Sequence, residues 1–356
     1  MLKSIALTLK RLLGAAAGII QRHISPLLKG FAIGIANIIP GVSGGTLALI
    51  LGIYERLLKA LSDFSFYSFK TIIFLFSFKR KHYDAFRQEM KRVDALFLAS
   101  VLIGIAAAFI AFSSLMTYLI DGQHDITYGF FFGLILASIK VPFSRIKKRN
   151  IKTIIGAIIG IATVVFLASI QTDADKIANA QKAQEIRAAA QVTYGGLTIN
   201  GLLMIFAAGM LATTAMILPG ISGSFISLLL GQYFILLGAV KSANFIVLGV
   251  YLLGAIIGIK LFAKMMEFLF KKFHDVIMAF LTGLVVGSLY VTWPFKGRAV
   301  VGDEVVHLNN IIPDSFGTNE ILTIVTAAAG IAVVILMLIL TSKANKDDAA
   351  PGTTQD

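Results

Sequence analysis

The sequence predicts an all-α polytopic membrane protein made of two inverted-topology repeats. Each repeat is a re-entrant helical hairpin followed by three transmembrane helices. Three observations predict this. The chain is 57% hydrophobic and only 14% charged, with a mean hydropathy of +0.84. A soluble domain is roughly 25% charged. One stretch occurs twice: Pro40 to Tyr54 matches Pro219 to Tyr233 at eight of fifteen positions. The charge of the polar loops alternates along the chain, as membrane orientation requires.

Residues 1–24 are apolar with Lys3, Lys10, Arg11 and Arg22. They lack a small-residue cleavage site and read as an amphipathic or interfacial helix rather than a cleaved leader. The first repeat covers 25–170. Its hairpin runs from about Pro26 to Leu61, followed by a polar connection, 59–92, with eight Lys/Arg and three Asp/Glu. Spans are expected at 95–120, 126–143 and 153–170. Residues 171–196 form a polar, extracytoplasmic segment read as an exposed helix. The second repeat covers 197–341, with its hairpin at about 197–240 and spans at 243–263, 276–293 and 321–341. Residues 342–356 read as a flexible cytoplasmic tail.

The repeat extends beyond the hairpins. His124-Asp125-Ile126, Phe130, Gly133 and Ser138 recur as His274-Asp275-Val276, Phe280, Gly283 and Ser288, and Gly160-Ile161-Ala162 recurs as Gly330-Ile331-Ala332. A hairpin crosses no membrane and three spans cross an odd number of times, so the halves are inverted. The loops agree: 59–92, 144–152 and 264–275 are basic, whereas 121–125, 171–196 and 294–320 are acidic or neutral. Both termini then lie inside.

The twin motif breaks a helix. Pro40 and Pro219 lack an N–H and clash with the preceding turn, and Gly41 and Gly220 permit backbone angles other residues avoid. Residues 30–54 and 188–240 hold no Asp, Glu, Lys or Arg. The freed backbone groups cannot face lipid and must be buried in protein or line a polar cavity. A helix restarts at Ser43/Gly44 and again at Ser222/Gly223, and its free N–H groups favour an anion. Gly44, Gly45 and Gly223 would let anion oxygens approach, and the hydroxyls of Ser43, Thr46, Ser222 and Ser224 would add donors. The plain alternative is a packed tip with no ligand. Asn37 either caps freed carbonyls or lines the cavity. Glu55 and Arg56 follow ten residues of second arm, about 15 Å if helical. Arg56 either meets an anionic headgroup at the inner surface or anchors the helix, and Glu55 either carries a coupling proton or sits in an interfacial ion pair. Asp125 and Asp275 read as helix caps, and Lys140 and Lys260 as snorkelling residues.

No catalytic set stands out, so the chain reads as a non-enzyme. The five histidines show no metal-ligand spacing, and there are no cysteines. No cofactor is implied. The net charge of +13 fits membrane orientation rather than nucleic acid.

Ala36-Asn37-Ile38-Ile39-Pro40-Gly41-Val42-Ser43-Gly44-Gly45-Thr46 with Gly52-Ile53-Tyr54-Glu55, paired with Ala215 to Phe225, resembles the polyprenyl-phosphate transporter family. The resemblance covers about 25–341. It implies a multi-pass protein of the bacterial plasma membrane that returns undecaprenyl phosphate from the outer to the inner leaflet for recycling in cell-wall synthesis. On that reading Asn37, Ser43, Gly44, Gly45, Thr46, Arg56, Ser222, Gly223 and Ser224 face the substrate phosphate. Coupling to a proton or sodium would involve Glu55. The rivals are a carrier of a small soluble anion, and a membrane scaffold or lipid-processing enzyme.

Overall fold

Helix forms wherever the apolar run is unbroken and stops where Gly, Pro or a polar cap intervenes. The computed structural model of the chain describes residues 24–38, 43–75, 80–188, 198–302 and 304–348. The expected N-terminal helix, 1–24, lies almost wholly outside the described residues, as do Pro40 and Gly41. The elements are α1 Ser25–Ile38, α2 Gly44–Ile50, α3 Tyr54–Asp63, α4 Phe66–Leu75, α5 Arg80–Arg92, α6 Ala95–Gly122, α7 His124–Ser138, α8 Lys140–Ser144, α9 Ile151–Ser169, α10 Asp173–Ala188, α11 Ile199–Ile217, α12 Gly223–Leu229, α13 Tyr233–Lys241, α14 Phe245–Val291, β1 Lys296–Val301, β2 Glu304–Asn310 and α15 Thr318–Asp348.

Among the described residues six helices are long and apolar enough to cross a membrane. The protein is a multi-pass, predominantly helical membrane protein. The 47 residues of α14 would reach about 70 Å, more than twice the hydrocarbon thickness. It holds both spans expected at 243–263 and 276–293. The basic loop expected between them is instead a kink at Phe273 (φ −134°, ψ 39°), beside Lys271 and Lys272.

Four further expectations change. The 59–92 connection is folded, with α4 and α5 clasped around the buried carboxylate of Glu89. That carboxylate accepts from the Ser68 hydroxyl and from Arg92 Nη2 at 2.7 Å, and the Arg92 bond holds it below the usual carboxylate range. The loop 294–320 carries an antiparallel two-stranded ribbon, β1–β2, with an irregularity between Lys296 and Arg298, so the chain is not purely helical. Helix α15 continues to Asp348, into the segment expected to be a flexible tail. Lys260 does not simply snorkel; its ammonium donates to the Phe64 carbonyl. The exposed helix expected within 171–196 is present as α10, which buries no residue.

The chain divides into two compact units. The first comprises Met1–Thr117 with Ala183–His274, the second Tyr118–Lys182 with Asp275–Asp356. Within each, glycines bring helix backbones together, the close approach small residues permit in membranes. In the first unit a Cβ on Gly30 would collide with the Val101 carbonyl, and one on Gly209 with the Tyr251 carbonyl. Likewise a Cβ on Gly104 would meet the Leu27 carbonyl, and one on Gly254 the Phe206 carbonyl. These are the same contacts made once in each half of the sequence. In the second unit the contacts are crosswise. Gly133 of α7 meets the Ala327 carbonyl of α15, while Gly283 of α14 meets the Ala157 carbonyl of α9. Gly160 meets Phe280, and Gly330 meets Phe130.

The acids expected to cap helices do other work in the second unit. Asp275 accepts the N–H groups of Lys147 and Lys148 at 3.1 and 3.0 Å. Asp125 sits inside α7 and pairs with Arg298 Nη2 of β1 at 2.5 Å and His124 Nδ1 at 3.0 Å. The His124 ring stacks on His307 of β2 with centroids 3.5 Å apart, and His307 Nδ1 is buried without a partner. Burial, then the charges of His124 and Arg298, lower the His307 pKa to about 4. The unfolded imidazole titrates near 6.5. As pH falls from about 6.5 towards 4, the unfolded state therefore takes up a proton that the folded state refuses, and stability falls. The thermal midpoint of the detergent-solubilised protein should drop between pH 7 and pH 5. His307→Gln should flatten that dependence; an unchanged slope in this variant would contradict the assignment.

Candidate functional site: the paired tips

Each twin motif leads into a short helix of seven residues, α2 or α12. At the first tip, Ser43 is extended (φ −104°, ψ 135°) and caps α2, its Oγ accepting the Gly45 N–H at 3.1 Å. Asn37, in the last turn of α1, accepts the Gly44 N–H through Oδ1 at 2.9 Å. Among the described residues Asn37 thus caps a freed donor at the start of α2; the break at Pro40 and Gly41, whose carbonyls the sequence reading gave it to cap, lies outside the described residues. At the second tip, Leu218 is held extended before Pro219 (ψ 136°), as the pyrrolidine ring requires. Gly220 takes φ +77°, open to glycine at little cost. Ser222 is the N-cap residue of α12 but makes no side-chain cap bond. Its Oγ lies 2.8 Å from Ser224 Oγ.

Both tip helices end alike. Gly52 and Gly231 each adopt φ +70°. The Ile53 N–H reaches back to the Ala48 carbonyl at 3.0 Å and the Gly52 N–H to Leu49 at 3.1 Å; the Gln232 N–H reaches Ser227 and the Gly231 N–H Leu228, both at 2.9 Å. This is the Schellman arrangement, which satisfies the last carbonyls of a helix. Beyond it the chain turns, and α12 and α13 are bent by 111°. The second arm of each hairpin is therefore not one helix, and the straight helical reach expected from Gly45 to Glu55 does not apply. Glu55 and Arg56 stand exposed on α3, past the turn. Arg56 Nε donates to Asp94 Oδ2 at 2.6 Å, and its guanidinium lies 4.0 Å over the Phe97 ring.

The two tips touch. The Ser43 hydroxyl donates to the Leu218 carbonyl at 2.9 Å, with the Met216 carbonyl 3.3 Å away. A Cβ on Gly45 would strike the Ile217 carbonyl; on Gly44 it would strike the Asn37 amide; on Gly223 it would lie 2.7 Å from the Ala212 carbonyl. The space beside each of these glycines is filled by protein. At Gly45 and Gly223 the absent side chain admits a backbone carbonyl, and at Gly44 it admits the Asn37 amide. Thr46 is almost fully buried, and its Oγ1 has no partner among the described residues. The structure thus joins Asn37, Ser43, Gly44 and Gly45 to the end of α11, pairs Ser222 with Ser224 at an exposed edge, and leaves Arg56 with Asp94.

Sequence reasoning missed the acceptors of this contact, the carbonyls of Met216 and Leu218, because a carbonyl has no sequence signature. It also missed Tyr54 and Gln232, whose Oη and Oε1 are buried without partners.

This geometry defines a multi-pass membrane protein in which the two copies of one motif meet inside one unit. A family model described as VCA0040-like, undecaprenyl phosphate translocase-like, matches residues 33–307, which include both tips. A curated polyprenyl-phosphate transporter of Vibrio cholerae is 32% identical over 280 residues, 79% of this chain and 80% of that protein. One of Staphylococcus aureus is 32% identical over 282 residues, 75% of this chain and 85% of that protein. There is no significant match among solved structures. The chain belongs to the undecaprenyl phosphate translocase-like family, and is a transporter rather than an enzyme.

The tips should respond unequally to loss of a hydroxyl. Ser43→Ala removes an N-cap, about 1 kcal/mol, and leaves the Leu218 carbonyl short of a donor, about 1 kcal/mol more. Ser222→Ala removes neither. Thermal unfolding in detergent should show a clear loss for Ser43→Ala and almost none for Ser222→Ala; equal losses would mean that the tips are capped alike.

Proposed function

We propose that this protein carries undecaprenyl phosphate from the outer to the inner leaflet of a bacterial plasma membrane, returning the carrier lipid for reuse in cell-wall polymer synthesis. The observation that carries the reading is the family match, which spans both tips. A lipid phosphate needs a polar route for its head, because an unpaired charge in hydrocarbon is far more costly than an unsatisfied amide. Its isoprenoid tail can stay in the bilayer. The meeting tips supply polar groups inside otherwise uncharged segments. The half-buried Ser222 and exposed Ser224 hydroxyls, paired at the second tip, are the donors most available to the head.

On this proposal the halves are inverted and the motifs are re-entrant. Support comes from the alternating loop charges and from the crosswise glycine contacts of the second unit. The 111° bend between α12 and α13, which turns the second arm of that hairpin aside, supports it too. In a two-fold relation each contact of residue i with j is matched by one of j with i, which is the pattern of Gly133 with Ala327 and Gly283 with Ala157.

Topology is testable because the chain has no cysteine. Gln88→Cys and Gln181→Cys lie on exposed faces of α5 and α10. An impermeant thiol reagent should label them from opposite sides of the membrane; labelling of both from one side would refute the inversion.

Transport is testable in vesicles. Purified protein should move undecaprenyl phosphate between leaflets, measured as accessibility of the headgroup to an external phosphatase. The double variant Ser222→Ala, Ser224→Ala should be slower by about thirty-fold, as loss of two hydrogen bonds of about 1 kcal/mol each implies. A wild-type protein that moves no lipid would overturn the proposed function.

A further inference from the structure

The second unit carries a groove that the tip mechanism does not use. It is about 330 Å³ and is lined by Phe132, Leu289, Tyr290, Trp293, Ile311 and Asn310. Its walls are fixed. The Trp293 indole N–H donates to the Ile311 carbonyl at 2.9 Å, and the Phe132 ring meets Trp293 edge-on with centroids 5.7 Å apart. A Trp that merely anchors a helix at the membrane surface turns its N–H to headgroups or water; here the N–H is spent on the wall.

The groove is lined almost wholly by apolar groups, and a cation, Lys296, stands behind its one amide side chain, Asn310. Asn310 Nδ2 donates to the Tyr290 carbonyl at 2.7 Å, and Asn310 Oδ1 accepts from Lys296 Nζ at 2.7 Å. The groove wall and the ammonium thus share one amide. Among the described residues no carboxylate pairs with Lys296. An ammonium has three donors, and Asn310 takes one. The neighbouring cations are differently placed: Arg298 is paired with Asp125, and Lys176 bonds Asn309 Oδ1 at 2.7 Å and Asp173 at 3.4 Å. Burial, with Lys176 close by, brings the Lys296 pKa down to about 8, so its charge is held without the counter-ion that would ease it.

We propose that this groove is a docking site for the polyprenyl phosphate itself: the phosphate sits on Lys296 and Asn310, and the head-proximal isoprene units lie along Phe132, Tyr290 and Trp293. The proposal rests on the lipid reading above and adds a second place on the protein where that lipid is held. Charge selects an anionic head. The groove's volume is at the small end of ligand pockets, enough for the first isoprene units and not for the whole lipid tail. The aromatic walls suit the flat, methyl-branched isoprene unit. On the loop-charge topology the ribbon is extracytoplasmic, the side on which a lipid to be returned must first be caught.

Trp293 is the sole tryptophan of the chain, so its emission reports this groove directly. In detergent, undecaprenyl phosphate should change Trp293 emission saturably. Undecaprenol, which lacks the phosphate, and hexadecyl phosphate, which lacks the isoprenes, should each bind at least about ten-fold more weakly, as loss of a charge-assisted bond allows. Lys296→Gln should lose about the same factor while its emission without lipid and its thermal midpoint stay as in the wild type. Should that variant fold poorly, Phe132→Ala, which widens the groove while leaving the cation, should weaken undecaprenyl phosphate more than hexadecyl phosphate. The inference is overturned if Trp293 emission does not respond, if hexadecyl phosphate or a phospholipid binds as well as undecaprenyl phosphate, or if well-folded Lys296→Gln binds as the wild type does. Vesicle transport separates the two ideas. Transport with a silent Trp293 removes the groove alone, whereas a responsive Trp293 without transport removes the carrier function alone.

Discussion

Every break in a helix leaves backbone groups that need partners, a demand sharpest where lipid is the solvent, and the first unit shows how the groups around α2 and α12 are met. The breaks before α2 and α12 come from the twin Pro-Gly motif, and the breaks after them from Gly52 and Gly231. The later pair is answered locally by Schellman bonds with both glycines at φ +70°. The earlier pair needs help from elsewhere in the chain. Asn37 and Ser43 take the first donors of α2, and the Ser43 hydroxyl then reaches across to the end of α11. That hydroxyl serves both the cap of one tip and its contact with the other, beside the close packing of Gly45 on the Ile217 carbonyl.

Glycine distributes this order through the rest of the protein. The contacts of Gly30 and Gly104 in one half reappear as those of Gly209 and Gly254 in the other, and in each case the partner is a backbone carbonyl. Such contacts tolerate no Cβ, so they fix register along the helix as well as distance. They also let a protein with little driving force from the hydrophobic effect hold its helices together, since lipid tails compete equally for apolar side chains.

Much of this was legible in the chain. The spans, the twin motif and the exposed α10 follow from hydropathy and spacing. The glycine pairs at 30/209 and 104/254 keep the same two sequence offsets as the motif and the His-Asp pairs, and so were readable as well. Three features were not. The kinked α14 hides two spans in one helix because Lys271 and Lys272 can flank a bend as readily as a loop. The ribbon β1–β2 is a short, mixed segment whose strand period is lost at the irregularity between Lys296 and Arg298. The break of the second arm was missed because Gly52 and Gly231 were counted as matches between copies and not as left-handed helix ends.

The inequality of the tips is also written in the sequence, in positions where the two copies differ. Asn37 stands opposite Met216 and Gly45 opposite Ser224. Met216 offers no side-chain oxygen to α12, so the cap that Asn37 supplies to α2 has no counterpart. Ser224 gives Ser222 a hydroxyl partner 2.8 Å away, whereas Gly45 gives Ser43 only a backbone N–H. Ser43 is thereby committed to structure, and Ser222 keeps a hydroxyl pair at an exposed edge. The two copies of the motif thus differ in use: Ser43 is bonded into the contact between the tips, and Ser222 is bonded only to Ser224 among the described residues.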